Sequence, residues 1–306
     1  MYSGVTVMKI KFQDSTIPYP LSILKGRLEL SGASDKVVAE VIMKLTDKKI
    51  ETVTLTESNL VSFVNDRLEE EQPEISQAFN TIISFERLRR LNEQVPPIII
   101  VLEGASATGK SMIALNLNQA ISSTRFISTD TIRQVLRNIY SAEEYPELHC
   151  HTYQAFKYCQ SGAEHLDPIV RGYIAQCDLL TPQITNLVKR IISEGADAVI
   201  EGVHIQPGTL QELNKGILEI VINPSQELHR TMFVSKNEMG RLRSVTSDKS
   251  VREEEFTSTR MIQEFMTRLA KEHNISVIEL EDYEQAHREI NQLILTKMSQ
   301  LIELHQ

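Results

Sequence analysis

Residues 98 to 111 read Ile98-Ile-Ile-Val-Leu-Glu-Gly-Ala-Ser-Ala-Thr-Gly-Lys-Ser111. The opening run, Ile98 to Leu102, is apolar without alternation, which predicts a strand buried on both faces, as in the middle of a parallel sheet. GxxxxGKS follows directly, and then a helical pattern from Met112 to Ile121. Strand, glycine loop and helix in that order make a Walker A phosphate loop in its required context. Gly104 and Gly109 let the backbone turn its N–H groups inward across Ala105, Ser106, Ala107 and Thr108, and the helix that starts near Met112 adds its positive end. Lys110 is expected to reach the β and γ phosphates of a nucleotide, and the Ser111 hydroxyl to hold Mg²⁺.

Beyond the loop, short apolar runs recur at Arg125 to Ser128, Ala198 to Glu201, Ile217 to Ile222 and Ser276 to Leu280, with helical patterns between them. This predicts an α/β fold: a parallel sheet with helices on both faces and its ligands beyond the carboxyl ends of the strands. Upstream, the charged helical stretch FERLRRLNEQ (residues 85–94) meets Pro96 and Pro97, where proline ends the helix. The expected division is therefore residues 1–92 and residues 93–306. In the first segment Val5 to Phe12 alternates like a strand, and Pro18 and Pro20 make a turn before a helix from about Leu21. Ser34 and Thr56 stand as N-caps before apolar stripes, so three further helices are expected around a common core. A small, mainly helical module results.

Carboxylates mark the ends of two strands. The second strand leads into Ser128-Thr129-Asp130, where a helix opens with Arg133 and Arg137 on one face. Asp130 would take the proton of an acceptor hydroxyl or hold a metal-bound water; Arg133 and Arg137 would grip an acidic group of the substrate. The strand Ala198 to Glu201 delivers a second carboxylate to the position of a Walker B acid, followed by His204, so both join the expected substrate side. Which of Asp130 and Glu201 is the base stays open. Between Ser235 and Arg252 five basic residues face two acidic ones, which suits a lid that closes over the γ-phosphate, and Arg260 on the next helix would face the transferred group. His149, Cys150 and His151 match no familiar zinc spacing.

With 41% hydrophobic and 24% charged residues the composition is that of an ordinary globular protein rather than a disordered one. The net charge of −9 divides as −1 up to residue 92 and −8 after it, so a general nucleic-acid or anionic-membrane binder is disfavoured and anions must be captured locally. No apolar run is long enough to span a bilayer, the start lacks a signal-peptide pattern, and three cysteines without CxxC spacing suit a reducing compartment. A cytoplasmic location is expected; the sequence says nothing of oligomeric state.

Several blocks together resemble the archaeal 2-phosphoglycerate kinase family: GASATGKS (104–111), FISTDTIRQVLR (126–137), LHCHTYQAF (148–156), GYIAQ (172–176), AVIEGVHIQPG (198–208), LHRTMF (228–233) and TRMIQEF (259–265). The resemblance implies a P-loop kinase that uses ATP and Mg²⁺ to turn a small anionic substrate, 2-phosphoglycerate, into 2,3-bisphosphoglycerate. It also likens residues 1–92 to an ATP-cone module. Met112, where the family often has Thr, and the HCHTY segment depart from the usual pattern, so two rivals stay open. One is a kinase of another hydroxyl-bearing metabolite or nucleoside; the other is a nucleotide-binding regulatory protein with the first module as sensor.

Overall fold

The computed structural model describes residues 8–12, 15–46, 55–71, 73–240 and 248–306. Two compact units divide the chain: Met1–Val95 with Asn116–Ser123 and Asn291–Gln306, and Pro96–Leu115 with Thr124–Ile290.

The first unit begins with β1 (Lys9–Phe12), β2 (Ser15–Pro18), α1 (Leu21–Leu30), α2 (Asp35–Thr46), β3 (Leu55–Thr56), α3 (Glu57–Glu71) and α4 (Pro73–Leu91). Four helices form where the apolar stripes predict them, and Leu24, Leu28, Val41, Val64 and Phe79 meet in one core with Ile10 from β1. The expected caps are in place, with Val37 N–H reaching Ser34 Oγ at 3.5 Å and Asn59 N–H reaching Thr56 Oγ1 at 3.1 Å. One element departs from expectation: residues 15–18 pair antiparallel with β1, Lys9 opposite Pro18, rather than simply turning toward α1. All four residues of β2 are exposed, so no alternation betrays the strand. Residues 5–7 of the expected first strand lie outside the described residues.

From residue 96 the chain continues with β4 (Ile99–Glu103), α5 (Lys110–Ala120), β5 (Arg125–Ser128), α6 (Thr129–Arg137), α7 (Pro168–Glu194), β6 (Ala198–Gly202), β7 (Ile217–Pro224), α8 (Gln226–Gly240), α9 (Lys249–Glu272), β8 (Ser276–Leu280) and α10 (Tyr283–His305); the end of α5 and most of α10 belong to the first unit. The five strands form a sheet in the order β5-β6-β4-β7-β8, every pair parallel. Ile99 to Leu102 and Ala198 to Ile200 are buried on both faces, the cause of their unbroken hydrophobicity. On one face Leu180, Ile184, Val188 and Ile191 of α7 pack on Ile99, Val101, Ala198 and Ile200.

Strand order fixes where chemistry can occur. From β4 the chain crosses toward β5, whereas from its neighbour β6 it crosses the other way to β7, so the strand direction of travel reverses between β4 and β6. Such a reversal opens a crevice at the carboxyl ends of the two strands. Among the described residues no helix is long and apolar enough to cross a membrane.

Candidate active site

The phosphate loop leaves β4 at Gly104 and enters α5 at Lys110. Gly109 has φ +85°, and a Cβ there would lie 2.7 Å from both the Tyr283 hydroxyl and a Leu280 methyl, so the position needs glycine for conformation and for space. Ala105 presents its carbonyl to Thr108 Oγ1 and to Lys110 Nζ, both at 3.1 Å. Its N–H donates to Gln263 Oε1 at 2.8 Å, and the Gln263 amide in turn donates to Ile222 O at 3.1 Å. The loop is thus tied to β7 through a fully buried glutamine of α9. The first N–H groups of α5, like those of any helix, have no intrahelical partner and aim at whatever binds the loop.

Ser111, on the first turn of α5, donates its hydroxyl to Glu201 Oε2 at 3.1 Å. The two arrive from neighbouring strands β4 and β6, at the reversal point. Hydroxyl and carboxylate side by side at the foot of a phosphate loop are oxygen donors suited to a hard divalent cation, which ordinarily takes few protein ligands and keeps waters and phosphate oxygens.

Across the crevice, Asp130 is the second residue of α6 and its carboxylate pairs with Arg133 Nη2 at 3.0 Å. Burial pushes that carboxyl up, but the neighbouring His204, Arg133, Lys110 and Lys236 outweigh burial and hold it below the usual carboxylate range. His204 is itself pushed down to about 3 by burial, so at neutral pH the standing charges around Asp130 are Arg133, Lys110 and Lys236. Arg133 and Arg137 reach further, to main-chain carbonyls of the connector after α6: Arg133 Nη1 to Cys150 O at 2.9 Å, Arg137 Nε to Leu148 O at 2.8 Å and Arg137 Nη2 to Cys150 O at 3.2 Å. Two arginines on one helix face therefore both line the site and hold its rim.

His204 stands behind these groups, fully buried. Gln176 donates its amide to Glu147 O at 2.6 Å, which leaves its oxygen to accept. That oxygen takes Thr152 Oγ1 at 2.7 Å and His204 Nε2–H at 3.1 Å, and His204 Nδ1 then accepts from Thr129 Oγ1 at 2.9 Å. The ring joins the residue before Asp130 to the connector and to α7. Beside it, Gly202 has no room for a side chain, because a Cβ would overlap Thr129.

A cavity of about 1080 Å³ joins these parts, lined by the loop from Ala105 to Met112, by Asp130, Arg133 and Arg137, by residues 149–154, and by Lys236. That is about the upper end of the roughly 300–1,000 Å³ typical of ligand pockets. Four cations, Lys110, Arg133, Arg137 and Lys236, face it in a chain of net charge −9. Arg260 is not among its lining residues: Nη1 donates to Pro224 O at 3.0 Å and Nε to Glu264 at 3.1 Å. Of the basic stretch expected as a lid, residues 241–247 lie outside the described residues. Lys236, inside that stretch, has the signal of its charge but no motif to single it out; Thr152, Gln176 and Gln263 fall within the blocks LHCHTYQAF, GYIAQ and TRMIQEF, but as neutral residues nothing in those blocks singles them out.

No family model matches the chain. It is similar to the 2-phosphoglycerate kinase of Methanopyrus kandleri, 26% identical over 300 residues that cover 95% of this chain and 88% of that protein. The 2-phosphoglycerate kinase of Methanothermobacter thermautotrophicus is 30% identical over 241 residues, 77% of this chain and 75% of that one. That of Pyrococcus horikoshii is 31% identical over 216 residues, 70% of each chain. Among solved structures it is similar to shikimate kinase from Acinetobacter baumannii in complex with shikimate, with TM-score 0.40 at 15% identity, covering 69% of this chain and 97% of that one.

Proposed function

The chain belongs to the 2-phosphoglycerate kinase family, and on that premise we propose that it transfers the γ-phosphoryl group of ATP to the C3 hydroxyl of 2-phosphoglycerate, giving ADP and 2,3-bisphosphoglycerate. The observation that carries this reading is that Ser111, bonded to Glu201 at the foot of the phosphate loop, and Asp130, paired with Arg133 on α6, line one cationic cavity.

In this reading the polyphosphate lies on residues 104–112, with Lys110 leaving the Ala105 carbonyl for phosphate oxygens. Ser111 and Glu201 fit Mg²⁺, which when bound neutralises charge on the β and γ phosphates. Arg133 and Arg137, both committed to fixed carbonyls, are preorganised to receive the acceptor's phosphate or carboxylate. Asp130 then orients the hydroxyl and accepts its proton as the oxygen bonds to the γ-phosphorus and the bond to the β–γ bridging oxygen breaks. A carboxylate held low by neighbouring cations is ionised at neutral pH, as a base must be. Glu201, bonded to the Ser111 hydroxyl, serves the metal side instead.

His204 supports the site through Thr129 and Thr152 rather than by touching substrate, and Arg260 fixes the end of β7.

An acceptor panel followed by ³¹P NMR tests the reading: 2-phosphoglycerate is expected to give bisphosphoglycerate with Mg²⁺ and ATP. Phosphorylation of a nucleoside or sugar in its place would keep the chemistry and remove the named acceptor; nucleotide binding without transfer to any acceptor would remove both.

A further inference from the structure

Helix α8 sends two side chains to one residue of the phosphate loop. His229 and Lys236 are seven residues apart, two helical turns, and so share a face. His229 Nε2 donates to Ser106 O at 2.9 Å, and Lys236 Nζ donates to Ser106 Oγ at 3.0 Å. His229 is fully buried, set edge-on against Phe256 with centroids 5.3 Å apart, which makes it a rigid anchor. Lys236 is different: it lines the cavity, and the group it bonds there is a neutral hydroxyl.

The groups facing Lys236 are Lys110 of the loop, Asp130 of α6, Arg252 of α9 and Glu201 of β6. Burial and the Lys110 charge both disfavour its ammonium. Two ammonium groups aimed into one cavity repel each other, and an anion between them turns that repulsion into two attractions. A hydroxyl is a weak substitute for such an anion, since charge-assisted hydrogen bonds are about twice as strong as neutral ones.

We propose that Lys236 is a catalytic cation for the terminal phosphoryl group: it rests on Ser106 Oγ and exchanges that hydroxyl for a γ-phosphoryl oxygen when a nucleoside triphosphate occupies the loop. The inference rests on the kinase reading above. Lys236 keeps its protons throughout; as the acceptor oxygen bonds to phosphorus and the bridging bond breaks, it neutralises charge on the non-bridging oxygens. A diphosphate offers no γ oxygen and leaves Lys236 on Ser106. Helix α8 therefore discriminates triphosphate from diphosphate.

Calorimetric titration of the full chain with ADP and with the β,γ-imido analogue of ATP, alongside steady-state rates, tests this in wild type, Lys236→Met and Lys236→Arg. Lys236→Met is expected to weaken the triphosphate analogue about tenfold, to change ADP affinity less than about twofold and to lower kcat about 100-fold, with Lys236→Arg recovering part of each. Retained ADP binding also shows that the variant is folded. Unchanged affinity for both nucleotides with kcat within about threefold of wild type would overturn the proposal, and so would equal loss of both nucleotides, which would reduce Lys236 to a brace for the loop. Wild-type protein that bound neither nucleotide would instead remove the kinase reading itself.

Discussion

In the proposed mechanism Asp130 and Glu201 divide their work by what each touches. Glu201 bonds the Ser111 hydroxyl, so Glu201→Gln is expected to raise the Mg²⁺ concentration for half-maximal rate by about 10–100-fold. Asp130, paired with Arg133, is the proposed base, so Asp130→Asn should lower kcat by about 10²–10⁴-fold and leave the Mg²⁺ requirement near that of wild type. Steady-state rates across a Mg²⁺ series separate the two, and an Asp130→Asn enzyme with normal turnover would contradict the assigned base. His204 carries a different signature. Burial pushes its pKa down to about 3, against an ordinary 6.5, so below about pH 6.5 the unfolded chain binds a proton that the folded chain refuses. Stability present above that pH is then lost as pH falls toward 3, by up to about 1.4 kcal/mol per pH unit. Urea melts between pH 7 and 4 should show a shallower fall for His204→Gln than for wild type; parallel slopes would refute the neutral, buried ring. At this scale the sequence exposes charges but not partners. Arg133 and Arg137 are legible as one face by their spacing, yet the carbonyls of residues 148 and 150 that they hold carry no side-chain signal.

Among the elements, β6 and α6 meet at the tightest point. Gly202 ends β6 with φ +158°, and a Cβ there would overlap Thr129, the first residue of α6. Gly202→Ala is expected to push α6 outward, costing about 1–3 kcal/mol of stability and raising KM for the acceptor more than KM for ATP, since Asp130 and Arg133 move with α6 and the loop does not. Thermal melts and paired KM values check this; an acceptor KM equal to that of wild type would contradict it. The central strands β4 and β6 were legible because burial on both faces demands unbroken apolar runs, whereas the edge strands β5 and β8 are only partly covered and show shorter ones. β2 was not, because all four of its residues are exposed and no pattern records the pairing. The connector from residue 138 to 167 was equally opaque, since its two 3₁₀ turns are held by Arg133, Arg137 and Gln176 from elsewhere in the chain.

For the whole molecule, a net charge of −9 and a cavity lined, among the described residues, by Lys110, Arg133, Arg137 and Lys236 point the same way: positive charge is gathered locally in a chain whose overall field opposes anions. The first unit gathers segments far apart in sequence. Asn291 Nδ2 donates to Glu29 O at 3.1 Å, and Gly26 lies so close to the backbone of Gln119 and Ala120 that a Cβ would not fit. A chain starting at residue 96 would keep all the proposed catalytic residues and lose the partners of residues 116–123 and 291–306. We expect it to melt at least several degrees below the full chain; an unchanged melting temperature would contradict that composition of the unit. Such distant pairings leave no trace in a linear reading, whereas the loop, its flanking strand and helix, and both carboxylates are local signals and were legible.

The most direct test of the account is the initial rate of ATP- and Mg²⁺-dependent phosphorylation of 2-phosphoglycerate by the full chain, measured against 3-phosphoglycerate and against Lys110→Ala. 2,3-Bisphosphoglycerate is expected from 2-phosphoglycerate at a rate at least about 100-fold above that of Lys110→Ala, with little product from 3-phosphoglycerate. Equal rates with the two isomers, or no product from either while ATP still binds, would contradict it.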